Sequence, residues 1–133
     1  MKVVDVGLYN KLAGDATLVA LLTDGTAIYQ GQAPPGTDRP YVMFDWAGGG
    51  HENINPSELT NFVYAVKGVS DVLETAADID ARVKTVLHNQ SITVAGYTNF
   101  WLARETEVRL IEAAPDGNPI FHYGANYRIR LDD

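Results

Sequence analysis

The chain has 133 residues and no cysteine, and its 17 acidic against 10 basic residues give a formal net charge of −7. That length fits one domain, spanning 1–133, that buries about two-thirds of the unfolded chain's surface. The missing cysteines exclude a disulfide framework and a thiolate metal site, and the acidic balance argues against a general nucleic-acid binder or docking on anionic membranes. An acidic surface can still face DNA whose task is to slide past without sticking. No run approaches the roughly 18 apolar residues of a membrane span. The start, Met1-Lys2-Val3-Val4-Asp5, turns polar too soon for a secretory leader.

Asp5 to Leu12 reads as a short helix with Val6, Leu8 or Tyr9, and Leu12 inward. Gly14 interrupts it, and Asp15 can cap a second helical stretch, Ala16 to Leu22, that ends at Asp24-Gly25. Whether this is one kinked helix or two stays open. Ile28-Tyr29 starts a short strand, and Gln32 to Pro40, with three prolines and a glycine, is a loop. Tyr41 to Trp46 alternates, placing Val42, Phe44 and Trp46 on one strand face. Ala47 to Ser57, with Gly48, Gly49, Gly50 and Pro56, reads as the most flexible loop of the chain.

The clearest unit follows. Thr60 to Val69 is a strand with Phe62, Tyr64 and Val66 on one face. From Val72 the period changes, and Val72, Ala76, Ile79, Val83, Val86 and Leu87 fall along one side of an α-helix. Ser70 is its expected N-cap and Asn89 its stop. Asp71 and Glu74 suit the positive end of the helix dipole, and Arg82, Lys84 and His88 the negative end. Ser91 to Val94 reads as a short strand and Ala95-Gly96 as a turn. Asn99 to Ile111 is a long strand with Phe100, Leu102, Val108 and Leu110 on one face. Pro115-Asp-Gly-Asn-Pro119 is a turn, and Ile120 to Leu131 a strand with Phe121, Tyr123, Ala125, Tyr127, Ile129 and Leu131 facing one way. The expected fold is α+β: a mainly antiparallel sheet, two main helices packed on one face, and a long C-terminal β-hairpin.

No chemistry declares itself. Ser57, Ser70 and Ser91 lie in no G-x-S-x-G elbow. His51, His88 and His122 are far apart, with no metal-ligand spacing; His51-Glu52 reads as a solvated loop pair and His122 as a surface residue. The glycine run lacks the Lys-Ser/Thr and following helix of a phosphate loop. Asp78 and Asp80, two apart on a helix, point in different directions. Glu105 and Glu107 share a strand face, with Arg104 and Arg109 nearby. No catalytic residue, cofactor site or metal site is assigned. The long hairpin and the loops point to protein contact.

Four stretches carry a family resemblance: Asp15-Ala-Thr-Leu-Val-Ala-Leu-Leu22 with Ala27-Ile-Tyr29; the Pro-rich loop into Pro40-Tyr-Val-Met-Phe44; Phe62-Val-Tyr-Ala-Val66 through Leu87; and Ala114-Pro-Asp-Gly117 into His122-Tyr-Gly-Ala-Asn-Tyr-Arg-Ile129. In this order they resemble the tail-completion or tail-terminator (head–tail joining) proteins of long-tailed bacteriophages. The resemblance implies a structural virion protein and not an enzyme. It implies a hexameric ring that caps the finished tail tube, joins it to the head connector or head-closure protein, and passes DNA through its lumen as cargo. It places the protein in the tail or neck of a virion assembled in the host cytoplasm, with no membrane partner. The residues expected at subunit or partner interfaces are Arg128, Arg130, Glu105, Glu107, Gly48, Gly49, Gly50 and His51. Two alternatives remain: another phage neck or head-closure protein, and a small α+β enzyme or ligand-binding domain whose pocket is ringed by Tyr41, Tyr64, Tyr123 or Tyr127.

Overall fold

A computed structural model describes residues 2–51 and 59–132. Three helices and five strands follow in the order α1 (Lys2–Ala13), α2 (Ala16–Val19), β1 (Ile28–Gln30), β2 (Tyr41–His51), β3 (Leu59–Ser70), α3 (Leu73–Leu87), β4 (Thr98–Ala113) and β5 (Pro119–Asp132). The strands form one sheet in the order β1-β2-β3-β5-β4, antiparallel throughout except for the parallel β1–β2 pair. The fold is α+β, with α1 and α3 on one face of the sheet.

The helices bury the residues that their periodicity demands. α1 buries Val4, Gly7, Leu8 and Leu12. Gly7 is required there, because a Cβ would lie 2.4 Å from the Thr93 carbonyl oxygen of the chain crossing it. α3 buries Ala76, Ile79, Val83, Val86 and Leu87 against Phe62, Tyr64 and Val66 of β3 and Ala125, Tyr127, Ile129 and Leu131 of β5. Asn89 ends α3 in the left-handed region (φ 58) and donates its amide to the Leu102 carbonyl, tying the helix exit to β4. α1 and α2 are two helices, split at Gly14 and restarted by Asp15, whose carboxylate accepts the Leu18 amide at 3.0 Å.

Several expectations fail, for identifiable reasons. Ser70 is not the N-cap: it is the last residue of β3, and its hydroxyl accepts the Val72 amide at 3.1 Å, so Val72 takes the cap position without a side-chain bond. Val72 and Val6 are exposed. The second helix stops at Val19, with tighter turns carrying the chain to Leu22. Ser91 to Val94 forms no strand; a single bridge joins Val94 to Tyr97. Gly48–Gly50 is strand and not loop, paired with Val63, Phe62 and Asn61 after a bulge at Ala47. The remainder of the expected loop, 52–58, lies outside the described residues.

The hairpin departs most. Along β4 only Leu102 and Ala103 are buried, while Phe100 and Leu110 are about half exposed. Two bulges break its register, and β4 is the sheet edge. In β5 the expected face holds from Ala125 to Leu131, but Phe121 and Tyr123 are half-buried and His122 is buried.

Candidate interaction surface

Polar groups facing the helices are spent on holding the fold. Arg104 makes a two-pronged bond to Asp80 of α3 (2.7 and 2.9 Å) and donates to the Tyr127 hydroxyl at 3.1 Å. Its backbone amide donates to His88 Nδ1 at 3.0 Å. The hydrogen bond to Asp80 raises the guanidinium pKa further, and burial raises that of the Tyr127 hydroxyl. Arg82 of α3 grips Asp15 at the start of α2 (2.7 and 2.8 Å), which lowers the Asp15 pKa. The buried Tyr64 hydroxyl donates to Asp5 of α1 at 2.6 Å; burial first, then the carboxylate, raises its pKa. Each contact ties a helix to an element distant in the sequence.

These commitments argue against the pocket reading. Tyr64 and Tyr127 are fully buried core side chains. Tyr41 meets Tyr29 edge-on at 5.5 Å, and Tyr123 lies under the Arg109 guanidinium, 4.8 Å from its ring centre. A solvent-open hollow of about 370 Å³ is lined by Lys11, Asp15, Arg82 and Thr85, but the Asp15–Arg82 pair there is already satisfied. His122 Nε2 lies 2.6 Å from Glu112 Oε1. Among the described residues no three His, Cys, Asp or Glu converge as a metal site.

The residues anticipated at an interface fall mostly on the opposite sheet face. Asn61 pairs with Arg130 and Gly50, and Val63 with Arg128 and Gly48, so these positions share two adjacent rows. Arg128 bonds Glu105 at 2.9 Å and Asn61 at 2.9 Å within the chain. The Arg130 guanidinium sits over Phe100, 5.5 Å from the ring centre. Glu105 and Glu107 do not share a face as expected: the bulge between Arg104 and Glu107 puts Glu107 opposite Ala125 on the helix side, where it lies 3.4 Å from Arg104. Gly49 adopts φ 112, and a Cβ there would lie 2.0 Å from the Asn61 carbonyl oxygen, so this position requires glycine. The His51 backbone pairs with Thr60.

The sequence reading missed exposed apolar residues on both sheet faces near its edges, Trp101 and Leu110 on the face away from the helices and Trp46 and Ile111 on the helix side. Trp101 and Trp46 are 51% and 53% exposed, and Leu110 and Ile111 50% and 61%. Their signal was present as large apolar residues in strands. Their exposure depends on β4 being an edge and on β1 stopping early, which is tertiary information.

The family model described as "Tail completion protein gp17" matches this chain over residues 6–132. No curated protein matches it. Among solved structures, a chain from "Virion of native gene transfer agent (GTA) particle" superposes with a TM-score of 0.75 at 17% identity, covering 96% of this chain and 93% of that one. At that identity the likeness is one of fold.

Proposed function

Because the chain belongs to the tail completion protein gp17 family and so serves a structural role in a phage tail, we propose that it caps the completed tail tube as a homo-oligomeric ring and joins the tube to the head connector. The ring is hexameric and its lumen passes DNA. The observation that carries this reading is the family match over residues 6–132. Physical features support it. A net charge of −7 suits a lumen that repels the phosphate backbone and lets it slide. The half-exposed Trp46, Trp101, Leu110 and Ile111 supply apolar area for contacts with other chains. The non-enzymatic role fits side chains committed to structure.

Arg128, Arg130, Glu105, Glu107 and the Gly48–His51 segment are proposed at the subunit boundary. Since Arg128 and Glu105 already pair within one chain, a neighbour docking there meets a neutralised pair. Charge reversal at both Arg128 and Arg130 that left assembly unchanged would remove them from the boundary.

The test is native mass against protein concentration, at low salt and with divalent cation added to screen the carboxylates, then in the presence of tail tubes. A closed hexamer, free or recruited to one tube end, is the expected result. A fixed dimer under all conditions, or a monomer that tubes do not recruit, would overturn the ring.

A further inference from the structure

The sheet has two open edges of different character. Among the described residues, β4 carries no strand on its outer side. β2 is covered by β1 only as far as Phe44, the partner of Gln30. From Asp45 to His51, β2 has β3 on one side and, among the described residues, no strand on the other. Gly31, at φ 74, turns the chain away just where β1 stops. A hollow of about 310 Å³ opens there, lined by Gly31, Asp45, Trp46 and Ala47. Exposed edges with unpaired backbone groups are templates for pairing with another chain.

The two edges match in direction, level and size. Three antiparallel pairings separate β2 from β4, so the two strands run in opposite senses. A second copy translated along the sheet therefore presents its β2 antiparallel to β4. The registers also set the level: the row of Gly50, Asn61 and Arg130 ends at Trp101, and the row of Gly48, Val63 and Arg128 ends at Ala103. One edge thus offers glycines with no side chain on the face where the other offers a half-exposed Trp101. An aromatic side chain laid over a cross-strand glycine restores the packing that the glycine lacks. The β4 bulge after Arg104 falls at the level where β1 begins to occupy the slot beside β2, and a bulge bends the strand away there. The Asp45 carboxylate caps the Trp46 amide at 2.9 Å, so pairing runs from Ala47 onward.

The geometry points to a heterologous contact between two copies of this chain: the Asn99–Arg104 segment of β4 pairs antiparallel with the open segment of β2 in the next subunit, and Trp101 covers its glycines. Each subunit contributes one edge of each kind, so the contact propagates head to tail, as the interface of a closed ring must. This inference rests on the ring reading above and identifies its interface.

Two variants test it. Gly48→Val should fold, since a Cβ at Gly48 meets nothing within 4 Å and its φ lies outside the left-handed region. The added side chain stands level with the neighbour's Ala103 and takes up the space over which its Trp101 extends diagonally, so the concentration needed for ring formation should rise on the order of tenfold or more, with the thermal midpoint of the monomer unchanged or higher. The second variant combines Gly48→Cys and Ala103→Cys, which share one row and so face each other across the proposed contact, in the cysteine-free chain. Within one chain these positions lie three inter-strand spacings apart, roughly 14 Å, too far for a disulfide. Oxidation should give a ladder of covalent multimers on a non-reducing gel, ending at the ring mass, that neither single-cysteine variant gives. If rings form by native mass while the ladder is absent and Gly48→Val assembles like the parent, this interface is wrong and the ring stands. If no multimer forms even with tail tubes, the ring reading fails and the interface falls with it.

Discussion

Replacing Asp80 by alanine removes the main partner of Arg104, a side chain only 9% exposed. The guanidinium keeps the Tyr127 hydroxyl at 3.1 Å and the exposed Glu107 at 3.4 Å, but loses a two-pronged carboxylate. Removing one partner of a fully buried pair costs about 3–5 kcal/mol. Asp80 is 17% exposed and Glu107 partly compensates, so about 2–3 kcal/mol is expected. For a domain of this size that lowers the thermal midpoint by roughly 8–12 °C. The matched control is Asp78→Ala, two residues away on the same helix but exposed, where the change should stay within about 0.5 kcal/mol. Urea denaturation of both variants gives the comparison. Equal midpoints for the two would refute the claim that the Asp80–Arg104 contact holds α3 to β4.

Other perturbations have signs fixed by the structure. Asp15→Asn keeps a good helix cap but loses the Arg82 pair. Because Arg82 lowers the folded pKa of Asp15, its contribution is complete above the ordinary carboxylate value near 4 and fades as pH falls through the lowered value. Denaturation from pH 7 down to pH 2 should therefore show the gap between parent and variant closing in acid. Gly68→Ala places a Cβ 2.5 Å from Ile79 Cγ2, forcing α3 off the sheet at a cost of about 1–3 kcal/mol; Gly48→Ala meets open space and should cost nothing by the same melt. Tyr64→Phe strips the buried hydroxyl that donates to Asp5 at 2.6 Å, and should cost about 1–2 kcal/mol in chemical denaturation.

Legibility varied with the range of the interaction that decides each feature. The β3–α3 unit was readable because one face is buried along its whole length, so period 2 passes cleanly into period 3.6 at residues 59–87. The Pro115–Pro119 turn was readable because Gly117, at φ 86, and the Asp116 carboxylate bonded to the Asn118 amide act locally. Trp46 shares the face of Val42 and Phe44 as expected but is exposed, because alternation identifies a strand face and not whether anything covers it; Phe100 and Leu110 leave the face of Leu102 because the β4 bulges shift the alternation. His122 was misassigned to the surface because its neighbours Val69 and Leu110 arrive from distant strands. The Gly48–Gly50 run looked like a loop because glycine carries no strand signal; its pairing depends on β3 lying alongside.

The sequence by itself determined most of the element types, the absence of cysteine, the acidic balance and most of the core, since these follow from composition and from periods of two and 3.6 residues. Only the tertiary structure decided the strand order, and with it which strands are edges. It also decided which charges are consumed, as in Arg104–Asp80 and Arg128–Glu105, and which aromatic residues stand in solvent. These depend on pairings between residues 20 to 70 positions apart, for which the local sequence carries no period.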